Sequence, residues 1–208
     1  MPAAVPARTR IDAEERRQQI LDATRRVTLQ RGLHDVRIAD VAAELRVSTG
    51  LIHYHFDTKD ELLGAMLQHT AELEIDTVVE RLASIDEPPA RLDAAIDAYL
   101  PSARRDPSWV LWIDVWGEAL RDANLRRISK VLDERWVEVF ASVVEAGVER
   151  GVFHSRDPLA SAWRLCALLD GLGLQVVLHQ GTISRAQMRR HVRLAAANEL
   201  GYEPTLEP

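Results

Sequence analysis

Residues 38–63 read IADVAAELRVSTGLIHYHFDTKDELL, and this stretch decides the fold. Apolar residues from Ile38 to Leu45 recur at the spacing of one helical face, and a second short helix is predicted from Thr49 to about Phe56. Between them, Ser48 is a residue type that caps a helix by accepting a backbone N–H. Isolated helices this short are marginal in water. The pattern therefore predicts a packed helix-turn-helix, with the small Ala42 allowing the two helices to cross closely.

The second helix of this motif carries polar and aromatic residues on its outer side. A helix laid into the major groove of DNA reaches base edges and phosphate oxygens with such side chains. Thr49 and His53 lie one turn apart and are expected to contact bases, whereas Tyr54, His55 and Lys59 are expected to donate to phosphates. His53 and His55 point about 200° apart on a helix, so no shared metal site is expected.

Residues 48–56, STGLIHYHF, followed by 59–63, KDELL, resemble the signature of the TetR family of bacterial transcriptional repressors. Residues 38–42 and the helix from Glu15 to Gly32 are similar to it as well, so the resemblance covers about the first 65 residues. Arg46 stands where the family usually has a small residue, and is expected to add a phosphate contact. The predicted DNA-contacting residues are Arg37, Arg46, Ser48, Thr49, His53, Tyr54, His55 and Lys59.

The composition is that of a chain with a sizeable core, since 47% of its 208 residues are hydrophobic. The formal net charge is -6, yet residues 1–60 carry 10 basic and 9 acidic side chains and a net charge of +1. Only this N-terminal part suits a phosphate backbone. Cys166 is the only cysteine, Met1–Arg10 lacks a signal-peptide pattern, and no apolar run approaches about 20 residues. A cytoplasmic protein without a membrane span is expected.

Apolar residues recur at helical spacing throughout, and nothing reads as a strand, so we predict an all-α protein of about nine helices. The predicted helices are Asp12–Arg31, Ile38–Leu45, Thr49–Phe56, Lys59–Ser84, Arg91–Arg105, Ser108–Arg121, Leu125–Arg150, Asp157–Gln180 and Ser184–Leu200. The two prolines 88 and 89 indicate a break. We assign residues 1–58 to a three-helix DNA-binding domain and residues 59–208 to a helical effector-binding and dimerisation domain.

The helix predicted from Asp157 to Gln180 is apolar nearly all round between Trp163 and Val177. Such a helix must be buried on both sides, so one side can serve the subunit core and the other a partner. Gly171 and Gly173 permit close approach. The TetR resemblance implies a homodimer in which the last two helices form a four-helix bundle, so that two reading heads match a palindromic double-stranded DNA operator.

The region after Arg91 resembles the choline-responsive, betaine-pathway repressors of the family at residues 112–116, WIDVW, and 169–172, LDGL. This implies a small-molecule effector, and tryptophans with carboxylates can hold an organic cation. Trp112 and Trp116 share one helical stripe, which is either core or pocket wall. Asp114 and Glu118 lie on the opposite side, so this helix alone cannot supply both the aromatic wall and the carboxylates.

Asp170 lies among apolar neighbours, and a buried carboxylate needs a partner. That partner is either a polar or cationic group of the effector or an intramolecular donor, such as an arginine or a tryptophan N–H. The predicted effector-binding residues are Trp112, Trp116, Trp163, Asp170 and Leu174.

The chain has no Gly-rich phosphate loop, no nucleophile motif and no Cys/His metal spacing, so neither an enzyme nor a cofactor is expected. The predicted function is a ligand-responsive transcriptional repressor that an effector releases from DNA, and the sequence leaves open the opposite sign, an effector that enhances DNA binding. The alternative is a helical protein-interaction module without DNA binding, which would leave the polar surface from Thr49 to Lys59 unexplained.

Overall fold

The computed structural model describes residues 12–179 and 182–204, and this part of the chain is all-helical. Its nine helices are α1 (Ala13–Arg31), α2 (Ile38–Leu45), α3 (Thr49–His55), α4 (Lys59–Ala83), α5 (Pro88–Tyr99), α6 (Pro107–Ala119), α7 (Ala123–Glu149), α8 (Pro158–Val177) and α9 (Arg185–Leu200). They confirm the predicted fold class. No helix in the described ranges is long and apolar enough to cross a membrane. Two expectations fall on residues outside the described ranges. They are the absence of a signal-peptide pattern in Met1–Arg10 and the end of the eighth predicted helix at Gln180.

The fifth helix differs most from its prediction, because α5 begins earlier and ends earlier than the expected Arg91–Arg105. The two prolines that indicated a break lie instead in its first turn, where a missing N–H costs no hydrogen bond and the fixed φ favours a helix. The helix ends before Leu100, whose backbone is extended at φ -63 and ψ 139. Leu100 precedes Pro101, and a residue before proline is driven out of the helical region.

The chain divides into two compact units, Met1–Thr70 and Ala71–Pro208. The boundary falls inside α4, whereas the sequence pattern places it between residues 58 and 59. The first turns of α4 belong to the first unit because their apolar residues are buried there. In addition, Lys59 Nζ donates a hydrogen bond to the backbone carbonyl of His34 at 2.8 Å.

The first unit packs α1, α2, α3 and the start of α4 around one core. Its buried residues include Ile20, Val27, Val41, Ala42, Ile52, Phe56, Leu62 and Met66. Ser48 Oγ accepts a hydrogen bond from the Leu51 N–H at 3.3 Å, which confirms Ser48 as the cap of α3. Thr58 Oγ1 accepts from the Glu61 N–H at 3.1 Å, while Glu61 Oε2 accepts from the Asp57 N–H at 2.9 Å. These reciprocal hydrogen bonds start α4.

In the second unit, α8 packs against α7 and α9, while α5 packs against α7 and α9 as well. A close approach fixes the position of α6 on α8. A Cβ atom added to Gly173 would lie 2.0 Å from the nearest atom of the Trp109 indole. Gly171 meets nothing within 4 Å, so only one of the two glycines singled out in this helix is needed for packing within the chain.

Two ion pairs fasten α9 to α5. Arg189 donates two hydrogen bonds to the Asp97 carboxylate, at 2.6 and 2.9 Å. Arg193, whose side chain is buried, donates to Asp93 at 2.5 Å. A bidentate pair of this kind sets geometry as well as energy, so it fixes the register of the two helices.

The substitution Gly173→Ala is expected to destabilise the protein by about 1–3 kcal/mol, because the indole of Trp109 must shift to admit the new methyl group. Urea denaturation at one fixed protein concentration measures the change. Gly117→Ala is the matched control on α6, where an added Cβ meets nothing within 4 Å. There the better helix propensity of alanine should raise stability by up to about 1 kcal/mol. Equal midpoints for the two variants would contradict the expected clash.

Candidate functional site

α3 presents a polar and aromatic surface. The side chains of Thr49, His53 and Tyr54 are exposed, and Tyr54 reaches 79% exposure. The Tyr54 ring is held edge-on against His55, with centroids 5.1 Å apart. The helix thus carries four hydrogen-bonding side chains that do not belong to the core, with Thr49, His53 and Tyr54 exposed and His55 half-buried.

The other residues predicted to contact DNA fall into two groups. Arg37 and Arg46, at the two ends of α2, are exposed and can reach a phosphate backbone. Ser48 and Lys59 already have hydrogen bonds within the unit, to the start of α3 and to the chain before α2. Phe56 is buried, with the Arg17 guanidinium 5.0 Å from its ring centroid.

Arg46 forms the turn between α2 and α3 in a left-handed conformation, with φ 55 and ψ 44. It is the only residue other than glycine with positive φ in the described ranges. A side chain costs about 1–2 kcal/mol in this region, and glycine usually occupies such a position. A strained arginine at an exposed turn points to a use for its charge.

The second unit contains a cavity of about 530 Å³ between α4, α5, α6 and α7, with one residue from α9. Its lining residues are Ala71, Leu73, Glu74, Thr77, Val78, Asp97, Ala98, Tyr99, Leu100, Ser102, Asp106, Ser108, Trp109, Trp112, Trp116, Leu132, Asp133, Trp136 and Arg185. Most of the lining is apolar or aromatic, and its acidic side chains outnumber its single basic one. The volume lies in the range of ordinary small-molecule sites.

Four aromatic rings of this lining pack edge-on against one another. The Tyr99 centroid lies 4.8 Å from that of Trp136 and 6.0 Å from that of Trp109. Trp109 in turn lies 6.3 Å from Trp116. Because adjacent rings are nearly perpendicular, their faces turn in different directions around the same space. We call Tyr99, Trp109, Trp116 and Trp136 the aromatic cluster.

Asp133 of α7 lies in the lining beside the aromatic cluster. Burial raises the pKa of Asp133 to about 6, with a further contribution from the charge of Asp170, although hydrogen bonds from Ser129 and Trp116 act in the opposite direction. Burial likewise raises the pKa of Asp170, and the hydrogen bond from Tyr99 opposes this. The main causes of the two raised pKa values include no cation. Two half-buried carboxylates therefore share one region, and neither has an ion-pair partner among the described residues.

The hydroxyl of Tyr99 donates a hydrogen bond to Asp170 Oδ1 at 2.5 Å. This bond supplies the intramolecular partner that Asp170 needs, and the donor is a tyrosine rather than the arginine or tryptophan suggested from the sequence. It also fixes the tyrosine ring between Trp109 and Trp136. Asp170 is not among the lining residues of the cavity, so it acts on the cavity through Tyr99.

Among the other residues predicted for the effector, Trp112 and Trp116 line the cavity, whereas Trp163 and Leu174 do not. Trp163 is 48% exposed on α8. It belongs to a stripe of mostly apolar residues spaced three or four apart, which we call the α8 stripe. The stripe consists of Leu159, Trp163, Ala167, Gly171, Leu174 and Leu178.

Of the aromatic cluster and its neighbouring carboxylate, four residues were missed from the sequence, namely Tyr99, Trp109, Asp133 and Trp136. Asp133 and Trp136 are one helical turn apart on α7, a spacing that places a carboxylate and an indole on one face. That signal was present but resembles an ordinary amphipathic helix. Tyr99 lies at the end of α5 and becomes informative only when Asp170 is known to lie beside it.

An exposed helix-turn-helix in one unit and a ligand-sized cavity in another define the class of helix-turn-helix transcriptional regulators. Residues 20–66 match the model of bacterial regulatory proteins of the tetR family, and residues 88–201 match that of BetI-type transcriptional repressors, C-terminal. The chain belongs to the TetR family and has a BetI-type C-terminal part. The family membership confirms the predicted transcriptional regulator in place of an enzyme.

The sequence is similar to the HTH-type transcriptional regulator BetI of Burkholderia ambifaria, at 31% identity over 179 residues, 85% of this chain and 90% of the relative. A transcriptional regulator from Saccharomonospora viridis, crystallised in complex with choline, has a similar structure. It shares 33% identity with a TM-score of 0.79, covering 90% of this chain and 98% of that one. A TetR-family regulator from Rhodococcus sp. follows at 26% identity and a TM-score of 0.76, covering 90% and 99%.

The substitution Tyr99→Phe is expected to lower stability by about 1–3 kcal/mol, because the buried Asp170 carboxylate loses its hydrogen bond. The loss should be larger at pH 8 than at pH 5. Without the bond, the already raised pKa of Asp170 rises further, and the penalty falls on the charged form, which dominates at high pH. Thermal or urea unfolding at the two pH values measures this difference.

Tyr202→Phe provides a matched control for that experiment. The hydroxyl of Tyr202 is buried and has no hydrogen-bond partner among the described residues, so its removal should be neutral or stabilising. If Tyr99→Phe were as well tolerated as Tyr202→Phe at both pH values, the bond to Asp170 would not hold the cavity wall in place.

Proposed function

We propose that this regulator is a repressor that binds a palindromic operator as a homodimer and is released from DNA by an organic cation of the choline type. The observation that carries the effector class is the half-buried Asp133 carboxylate, which lies beside the aromatic cluster and has no ion-pair partner among the described residues. An effector that strengthens DNA binding is the alternative, and a gel shift with and without choline distinguishes the two.

A quaternary ammonium group matches this environment in two ways. Ring faces attract a cation electrostatically, most strongly where water is excluded. The trimethylammonium group also has no N–H to satisfy, so it needs only the aromatic faces and one carboxylate. Asp133 supplies that carboxylate, since its half-buried charge has hydrogen bonds from Ser129 and Trp116 but no ion-pair partner among the described residues until a cation enters. The similar regulator from Saccharomonospora viridis was crystallised in complex with choline, which supports the same class of effector here.

Asp170 has a positioning role in this proposal. Its hydrogen bond from Tyr99 orients one ring of the aromatic cluster, and its charge adds to the negative potential at Asp133. In this proposal Asp170 does not contact the effector, as the sequence suggested, but influences effector binding through Tyr99 and Asp133.

The α8 stripe supports a homodimer. Leu159, Trp163 and Leu178 are each about half exposed, at 50%, 48% and 53%. A second copy of the same stripe would cover these side chains in an isologous interface. Gly171, which meets nothing within 4 Å, would allow the two α8 helices to approach closely. Trp163 and Leu174 are therefore assigned to the subunit interface in this proposal and no longer to the effector.

Release follows from a population shift. An effector that binds the conformer with misaligned reading heads more tightly draws the dimer away from the DNA-binding conformer. α4 is the helix through which we expect this coupling. It begins in the first unit, and Leu73, Glu74 and Val78 on its later turns line the cavity of the second unit. The cavity is therefore lined in part by the helix that continues into the DNA-binding unit, so its occupation can be sensed along α4.

Choline binding should weaken as the pH falls through the pKa of Asp133, about 6. Below this pH the carboxyl holds a proton and has no charge to offer, so affinity at pH 5 should be about tenfold lower than at pH 8. Asp133→Asn should bind choline weakly at both pH values, with the pH dependence lost. Isothermal titration calorimetry measures both effects.

Two controls sharpen this titration. The neutral isostere 3,3-dimethylbutan-1-ol has the shape of choline without its charge and should bind weakly to both proteins. Asp114→Asn, on the same cavity-lining helix as Trp112 but outside the lining, should leave choline affinity unchanged. Equal choline affinity at both pH values in wild type and in Asp133→Asn would contradict a role for Asp133.

A gel shift on the DNA upstream of the protein's own gene tests the regulator as a whole. The dimer should bind a specific site, lose affinity steeply with salt, and leave the DNA when choline is added. A complex tightened by choline would instead indicate an effector-dependent binder. Failure to bind any DNA would favour the alternative of a helical protein-interaction module.

Arg46→Gly separates stability from DNA binding at the strained turn. Glycine relieves the left-handed conformation and should raise stability by up to about 1 kcal/mol. The loss of two charges per dimer should weaken DNA binding by about tenfold and make the salt slope shallower by about 2. Arg121→Gly, which removes an exposed arginine after α6, is the control. It should leave DNA binding unchanged and lower stability slightly, because its backbone has no left-handed strain to relieve. An unchanged salt slope in Arg46→Gly would exclude the phosphate contact.

A further inference from the structure

The cavity is much larger than choline. Its volume is about 530 Å³. A molecule of choline's size fills about 200 Å³, even if each of its non-hydrogen atoms is allotted the liquid volume of a water. A trimethylammonium group held by the aromatic cluster and Asp133 would therefore leave more than half of the space unfilled. Cavities of this size ordinarily enclose larger ligands.

Away from the aromatic cluster, apolar and polar residues alternate in the lining, although most of the lining surface of the whole cavity is apolar. The apolar residues there are Ala71, Leu73, Val78, Ala98, Leu100, Trp112 and Leu132. Leu73 is 53% exposed although it is large and apolar, so it lies where the cavity meets solvent. A ligand chain that passes over Leu73 would remove this surface from water, which is favourable in proportion to the apolar area covered.

The remaining acidic residues of the lining already have partners. Asp97 is held by the bidentate contact from Arg189. Asp106 accepts hydrogen bonds from the backbone and hydroxyl of Ser102 and from the Ser108 N–H. Glu74 accepts a hydrogen bond from Ser108 Oγ at 3.3 Å. Asp133, which accepts a hydrogen bond from Trp116 of the aromatic cluster, is the carboxylate beside which we place the single cationic centre.

The single basic residue of the lining is also engaged. Arg185 Nε donates to the backbone carbonyl of Pro101 at 3.0 Å, which fixes the start of α9 against the α5–α6 connection. With three acidic side chains besides Asp133 in the same lining, an anionic group on the ligand would meet a field of its own sign. An uncharged extension avoids this repulsion.

We infer that the effector is a monocation larger than choline, in which a quaternary ammonium group carries an uncharged, mostly apolar extension that runs over Leu73. This rests on the proposed function, since it takes the ammonium group to lie beside Asp133. Choline itself then binds as the head of the preferred ligand and leaves the rest of the cavity to water.

A series of alkyltrimethylammonium ions from ethyl to octyl, each used below its micellar concentration, tests the inference by isothermal titration calorimetry. Affinity should rise by up to about fourfold per added methylene and level off once the cavity is filled. Longer members should also release operator DNA at lower concentrations than choline does.

Matched variants on α4 locate the extension. Leu73→Ala should reduce the gain from chain length while leaving tetramethylammonium binding unchanged. Val79→Ala is the control, because Val79 is exposed to a similar degree, 47%, but is not in the lining. It should leave the whole series as in wild type.

Three outcomes would overturn the inference. If affinity is the same from ethyl to octyl while choline binding still depends on Asp133, the proposed function stands and the larger effector is wrong. If trimethylammonium ions with a terminal carboxylate bind more tightly than alkyl ions of equal length, the extension is anionic. If no member binds, choline included, the cation site itself is wrong and both proposals fall.

Discussion

The hydrogen bond from Tyr99 to Asp170 is the interaction on which the cavity depends. It joins the end of α5 to the middle of α8 through two side chains 71 positions apart in the chain. The bond satisfies a carboxylate that would be costly to bury alone, and it sets the ring of Tyr99 against Trp109 and Trp136. The hydrogen bond to Asp170 therefore holds the ring of Tyr99 in the aromatic cluster.

With Asp170 satisfied internally, Asp133 is left as the carboxylate that the fold does not neutralise. A buried charge of this kind lowers stability unless a partner arrives, so it is a poor choice for a structural role and a good one for a binding site. The ion pairs between α5 and α9 show the contrast, because Asp93 and Asp97 each have an arginine. The second unit thus pairs these two carboxylates with arginines and satisfies Asp170 through Tyr99, whereas Asp133 has hydrogen bonds only, which is the basis of the proposed effector class.

A different constraint governs the first unit, where one residue keeps a strained backbone conformation. The turn between α2 and α3 needs a left-handed residue, and the chain supplies Arg46 instead of glycine. The rest of this unit follows local rules closely: Ser48 caps α3, Thr58 and Glu61 start α4, and the apolar stripe packs inward. The helix-turn-helix could be predicted in detail for this reason, since caps and helical periodicity act within a few residues.

The sequence by itself determined the nine-helix fold, the reading head and the family, because periodicity, capping residues and a contiguous motif are local properties. It misplaced both ends of α5, where prolines start a helix as well as break one. Only the tertiary structure decided which residues form the cavity. Tyr99, Asp133 and Trp136 come from two helices far apart in the chain, and Trp163 shares the helical phase of Asp170 yet is half exposed on α8. Helical phase tells which residues share a side, but the neighbour on that side is set by how the helices pack.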